Sequence, residues 1–89
     1  MKIAIAKLGK EEDSEISEKA GRAPYYLIYE TDKLIEVWKN PFAIGGGGAG
    51  TSVAKVMETK GVKEVIASNF GEKMEAALKE RDIITTIRS

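Results

Sequence analysis

The chain has 89 residues, enough for one domain built on one core. Hydrophobic residues make up 43% and charged ones 31%, which excludes a disordered chain, and fourteen basic side chains balance fourteen acidic ones, which excludes a global field for nucleic acid or membranes. Cysteine and histidine are both absent, and with them go disulfides, thiolate and imidazole nucleophiles, zinc-type sites and haem ligation through those groups. Glutamine is missing too, and asparagine occurs only as Asn40 and Asn69 beside abundant Lys and Glu, a profile compatible with a thermophilic source. No apolar run approaches the roughly 20 residues that span a bilayer. Met1 to Leu8 reads as a strand and not as a signal peptide, so a cytoplasmic location is expected.

In chain order, Met1 to Leu8 alternates Ile3 and Ile5 with Ala4 and Ala6 and predicts an interior strand. Gly9 to Asp13 is a charged loop, and Ser14 to Ala20 reads as one or two helical turns capped by Ser14, or as more loop. Pro24 suits the entry to a second strand, Tyr25 to Glu30, rich in aromatic and branched side chains. Thr31 to Lys33 turn the chain back into a third strand, Leu34 to Lys39, which Asn40-Pro41 stops. A helix over Thr51 to Lys60 turns Val53, Ala54, Val56 and Met57 inward and closes at Gly61. Val62 to Ser68 is a buried strand, Glu72 to Arg81 a helix with Met74, Ala77 and Leu78 on its inner side, and Ile83 to Arg88 a last strand.

This βββαβαβ order, with right-handed crossovers, predicts a single α/β domain over residues 1–89. Its five-stranded mixed sheet has order 3-2-1-4-5, with the second strand antiparallel. Both helices fall on one face. The other face carries Ala4 and Ala6 with polar side chains, and is solvated, covered by the Gly9–Pro24 loop, or used in self-association.

The stretch least like ordinary sequence is Ile44 to Ser52, which holds four consecutive glycines and, after Ala49, a fifth. A glycine-rich loop that runs into a helix start offers bare N–H groups and the positive end of a dipole, a ready anion site. It is not a Walker-type phosphate loop, because no Gly-Lys-Ser/Thr follows. Open sheets bind ligands beyond the carboxyl ends of their parallel strands. The topology sends three segments there: Gly9 to Pro24, Asn40 to Gly50, and Asn69-Phe70-Gly71. Candidate binding residues are therefore Lys19, Arg22, Gly45, Gly46, Gly47, Gly48, Gly50, Thr51 and Asn69. Each also has a plainer role. Arg22 could pin its loop through Glu15 or Glu18, Ser14 and Ser17 suit turns, Thr51 and Ser52 suit the cap of the first helix, and Asn69 suits the cap of the second.

With those residues in view, the sequence resembles the dinitrogenase iron–molybdenum cofactor biosynthesis family, small domains of ribonuclease H-like fold. The resemblance covers essentially the whole chain. It is carried most specifically by Ser14-Glu15-Ile16-Ser17-Glu18-Lys19-Ala20-Gly21-Arg22-Ala23-Pro24-Tyr25-Tyr26, where the family commonly reads Ser-x-Val-Ser-Glu-His-Phe-Gly-Arg-Ala-Pro-Tyr-Phe. Asn40-Pro41, Gly45 to Gly50, Lys60-Gly61-Val62 and Asn69-Phe70-Gly71 fall where the family has equivalent segments. The resemblance implies binding or carrying of metal–sulfur cofactor intermediates of iron–molybdenum or iron–sulfur type, and cofactor-assembly proteins as partners.

Lys19-Ala20 stands where the family usually has His-Phe, and that histidine is the family's natural candidate for a metal ligand. Direct ligation of a cluster is therefore not expected. What the residues support is non-covalent capture of an anionic cluster or oxyanion by Lys19, Arg22 and glycine-loop amides. The rival is an interaction or assembly module that keeps the fold without the cofactor, as a homodimer or with a partner on the bare sheet face or near Trp38. Catalysis is not expected. The first strand carries no acid for a two-metal nuclease site, and no carboxylates pair at a buried spacing.

Overall fold

The computed structural model describes all residues, 1–89. Three strands come first, β1 (Lys2–Lys7), β2 (Tyr25–Glu30) and β3 (Lys33–Lys39), followed by α1 (Ala49–Thr59), β4 (Val62–Ala67), α2 (Glu72–Glu80) and β5 (Ile84–Ile87). The sheet order is β3-β2-β1-β4-β5, with β2 antiparallel to both neighbours and β4 parallel to β1 and β5, as the sequence predicts. Apolar side chains at helical spacing explain why α1 packs inward through Ala49, Val53, Ala54 and Met57, and α2 through Met74, Ala77 and Leu78. Gly61 follows α1 at φ +78°, the left-handed residue that a helix end favours.

Both helices pack on one face of the sheet and against each other, joined to Tyr26, Ile28, Val62, Val65 and Ala67 in one core. Ala4 and Ala6 belong to that core, which corrects their expected place on the opposite face. Their register explains it: Ala4 lies between Ile28 and Val65, and Ala6 beside Tyr26, so the small residues of the central strand sit where the helices come down. Ile3 and Ile5 face the other way, with Leu27 and Ile66.

That second face is partly roofed by the long loop after β1. The expected helical turns at Ser14–Ala20 do not form; one bridge pairs Ile16 with Lys7, and a short 3-10 turn, η1 (Ala20–Arg22), follows. Buried Lys7 reaches into this loop and donates from Nζ to the Glu12 and Ser14 carbonyls at 2.9 and 2.8 Å. Tyr29 donates its hydroxyl to Glu12 Oε1 at 2.8 Å. Burial, then this hydrogen bond and the Glu12 charge, push the Tyr29 phenol up to about 12. Replacing Glu12 by Gln removes the charge that opposes phenolate formation, so the Tyr29 titration moves down toward the ordinary tyrosine range. Ultraviolet tyrosinate absorbance, compared between the two proteins, measures the shift.

Candidate functional site

The loop between β1 and β2 is tied down before it reaches the site. Buried Ser17 donates its N–H to the Ala6 carbonyl at 2.8 Å and accepts from Ser68 N–H at 3.0 Å, which binds the loop to the ends of β1 and β4. Its hydroxyl accepts the Lys19 N–H at 3.2 Å, the turn-forming role its residue type suggests. Tyr26 then donates its hydroxyl to the Ala20 carbonyl from inside the core, where burial raises the phenol far above its usual range.

Asn40 supplies the third tie. Its side chain is buried, and Nδ2 donates to the Gly21 and Ala23 carbonyls at 3.1 and 2.9 Å. Oδ1 accepts the Phe42 N–H at 2.9 Å, so one amide fixes η1 to the segment that leads into the glycines. Sequence reading took Asn40 only as a strand stop. The signal it offered was chemical: a buried asparagine needs several partners, and loops supply them.

Here three segments meet through bare backbone. A Cβ added at Gly21 falls 2.9 Å from Gly50 N and 3.0 Å from its Cα, and one added at Gly50 falls 2.6 Å from Met74 Cβ. Glycine at these positions lets η1 touch α1, and α1 touch the first turn of α2. By contrast a Cβ at Gly46 or Gly47 meets nothing within 4 Å.

Neither helix start is capped by a side chain. Gly48 precedes α1 at φ +83°, and Ser52 is the residue whose N–H returns to the Gly48 carbonyl. The N–H groups of Ala49, Gly50 and Thr51 thus lie ahead of the first intrahelical bond. α2 repeats the arrangement: Gly71 precedes it, Glu75 N–H returns to the Gly71 carbonyl at 3.0 Å, and Glu72, Lys73 and Met74 are left ahead of it. Thr51, Ser52 and Asn69 therefore do not cap the helices, contrary to their plainer reading. Ser14 caps none either; its hydroxyl accepts Glu11 N–H at 3.2 Å.

Both starts open into one cleft of about 580 Å³. Of the sequence-predicted residues, Lys19, Arg22, Gly48, Gly50, Thr51 and Asn69 line it, and Gly45, Gly46 and Gly47 do not. Sequence reasoning missed Ala49 and the whole start of α2; the signal was Gly71 standing directly before a helix, as Gly48 does. Charge in the cleft comes from Lys19, Arg22 and Lys73 against Glu18 and Glu72, an excess of one positive.

Arg22 pins a loop, as its plainer reading has it, but through backbone carbonyls and not through a carboxylate. Its guanidinium donates from Nη1 to the Phe42 carbonyl at 3.2 Å and the Gly45 carbonyl at 3.0 Å, and from Nη2 to the Gly46 carbonyl. It makes no ion pair with Glu15 or Glu18. The guanidinium holds the glycine loop by neutral acceptors and keeps its charge uncompensated by a carboxylate. The carbonyls of Gly45 and Gly46 turn toward it, which is why the first glycines form the loop's anchor and the later ones the cleft wall.

No group of three or more metal-ligating side chains lies together. The oxygens of Glu18 and Glu72 suit hard cations, and the chain contains no thiolate or imidazole, so a site that ligates iron or molybdenum through side chains does not fit these residues. Amides and cations around a polar cleft do fit an anion. No helix is long and apolar enough to cross a membrane.

The sequence profile described as dinitrogenase iron-molybdenum cofactor matches residues 1–87. No curated protein matches the chain. Among solved structures, the NMR structure of a candidate NifB protein from Thermotoga is 34% identical, with TM-score 0.79 over 94% of this chain and 72% of that one. The apo form of the orange protein from Desulfovibrio gigas superposes with TM-score 0.86 at 23% identity over 94% and 72% of the two chains, a likeness of fold.

Three substitutions test this packing. Asn40→Ala strands three partners and lowers unfolding free energy by about 2–3 kcal/mol in denaturant titration. Gly50→Ala forces a methyl against Met74 and costs about 1–3 kcal/mol, whereas Gly46→Ala in the same assay stays within about 0.5 kcal/mol.

Proposed function

Because the chain belongs to the dinitrogenase iron-molybdenum cofactor family, we propose that it is a small binding or carrier domain for an anionic metal–sulfur species or oxyanion, held without covalent ligation in the cleft between the two helix starts. The observation that carries this reading is the convergence of two uncapped helix N-termini on one cleft beside an Arg22 without a counter-ion. Six main-chain N–H groups ahead of the first intrahelical bonds (Ala49 to Thr51 and Glu72 to Met74) supply donors, and each dipole adds positive potential. Lys19, Lys73 and Arg22 add charge, and Thr51 and Asn69 add side-chain polarity. Glycine at position 50 lets the two helix starts lie close enough to share the cleft.

The same residues grip rather than transform. The cleft holds no imidazole or thiol, and its one hydroxyl, that of Thr51, has no carboxylate hydrogen-bonded to it. In this reading the protein is not an enzyme and works in the cytoplasm. Cluster cargo would arrive with its own ligands, and the chain would contribute hydrogen bonds and field.

An NMR titration with molybdate and with tetrathiomolybdate tests the reading. The amides of Ala49 to Thr51 and Glu72 to Met74 shift with at least one anion, and silence at both sets with both anions overturns it. Glu72→Gln removes a carboxylate from the start of α2 and tightens binding about twofold to fivefold, the scale of one charge at a helix end. Lys73→Glu weakens it by a similar or larger factor.

A further inference from the structure

A second concavity, of about 420 Å³, runs between β3 and α1 and is lined by Trp38, Phe42, Val56, Thr59, Lys55 and Lys60. It adjoins an edge strand, because β3 ends the sheet with β2 as its sole neighbour. Asn40 donates its N–H inward to the Pro24 carbonyl, and alternation along the strand turns the N–H and C=O groups of Val37 and Lys39 outward. Apart from Glu36 the strand is apolar between its ends, with Ile35 45% and Val37 43% exposed. Trp38 is fixed for contact, tilted against Tyr26 at 6.0 Å between ring centres, with Lys60 Nζ 5.6 Å from its own.

The charges around this edge select a partner. Lys33 and Lys39 bracket the strand, Lys55 and Lys60 line the groove, and Glu36, paired with Lys60 at 2.6 Å, is the carboxylate among them. Four lysines against one carboxylate disfavour a second copy of the same edge, most directly in the register centred on Glu36. Antiparallel self-pairing centred on Glu36 sets Lys33 against Lys39 and Glu36 against Glu36, and like charges placed opposite destabilise a sheet. Lysines at an edge also repel unselected strands while favouring an acidic one.

We infer that the β3 edge and the groove beside it take an extended acidic segment of another protein, added as a sixth strand with an apolar side chain over Trp38. Main-chain bonds to Val37 and Lys39 supply affinity in this mode, and the groove supplies selectivity. The docking site touches the cargo cleft through one residue. Phe42 lines the groove, and its carbonyl accepts from Arg22.

The test uses the full chain and the peptide acetyl-Glu-Val-Glu-Leu-Glu-Val-Glu-amide, with its lysine counterpart and an oligothymidylate as controls. The acidic peptide shifts the Val37 and Lys39 amides and the Trp38 indole, and binding weakens as salt rises. Val37→Pro removes an outward N–H that β3 does not use in the sheet, a change edge strands tolerate, and lowers affinity by about fivefold or more. Lys55→Glu, at an exposed residue of the groove, lowers it comparably and decides the matter should the proline variant unfold. No shift at Val37 and Lys39 up to about 1 mM peptide, equal binding of the lysine peptide, or tighter binding of the oligothymidylate would each overturn the assignment.

Discussion

Where η1, α1 and α2 meet there is no room for a methyl group, and the architecture of the cleft follows from that constraint. Gly21 touches Gly50, and Gly50 touches Met74, all through backbone or Cβ atoms. The sheet order alone brings these segments to one rim. Glycine contact then brings two helix starts close enough to share a cleft. The buried amide of Asn40 fixes the geometry by joining Gly21, Ala23 and Phe42 through three hydrogen bonds. Tyr26 does the same from the core side at Ala20.

Within that frame, the guanidinium of Arg22 is a positioning group. Hydrogen bonds from a charged donor contribute about 1.5–3 kcal/mol each when well placed. The three that Arg22 gives to Phe42, Gly45 and Gly46 hold a loop whose sequence has little else to order it. The acceptors are neutral, so the charge persists at the edge of the cleft. Arg22 can therefore shape the loop and still contribute field to an anion beside it. A carboxylate partner such as Glu18 would have cancelled the second contribution.

Much of the fold was legible because periodicity and handedness over-determine it. Continuous apolar order in Val65 to Ala67, the hairpin punctuation at Thr31–Lys33 and Asn40-Pro41, and the right-handed crossover rule lead to one sheet order. Alternation in β1 did not reveal which face was which. Ile3 and Ile5 are the larger residues, and size suggested the core, yet the helices descend on Ala4 and Ala6 because they need the space. The convergence of three segments on one rim was legible too, but its details were not. Thr51, Ser52 and Asn69 all have side chains that suit helix caps, and propensity cannot tell that Gly48 and Gly71 occupy those positions instead. Asn40 was read as punctuation because its partners, Gly21 and Ala23, lie on another loop, and no local pattern records a contact of that sequence separation.

The proposed site also has internal opposition that sets its strength. Glu72 sits in the first turn of α2, where it already interacts with the dipole that an anion would use, and Glu18 lines the same cleft. Each exposed charge at a helix end is worth about 0.3–1 kcal/mol, so two carboxylates offset a good part of what two dipoles provide. The surplus comes from N–H donors and from Lys19, Lys73 and Arg22. With a net excess of one positive charge, affinity on the order of micromolar to millimolar is the physical expectation. Screened, exposed electrostatics also make such a grip responsive to ionic surroundings and to a competing partner surface. A coordinated cluster, by contrast, leaves only by ligand exchange. Under the proposed function Lys19 contributes field and no coordinate bond, and reversible transfer is the behaviour such a grip favours.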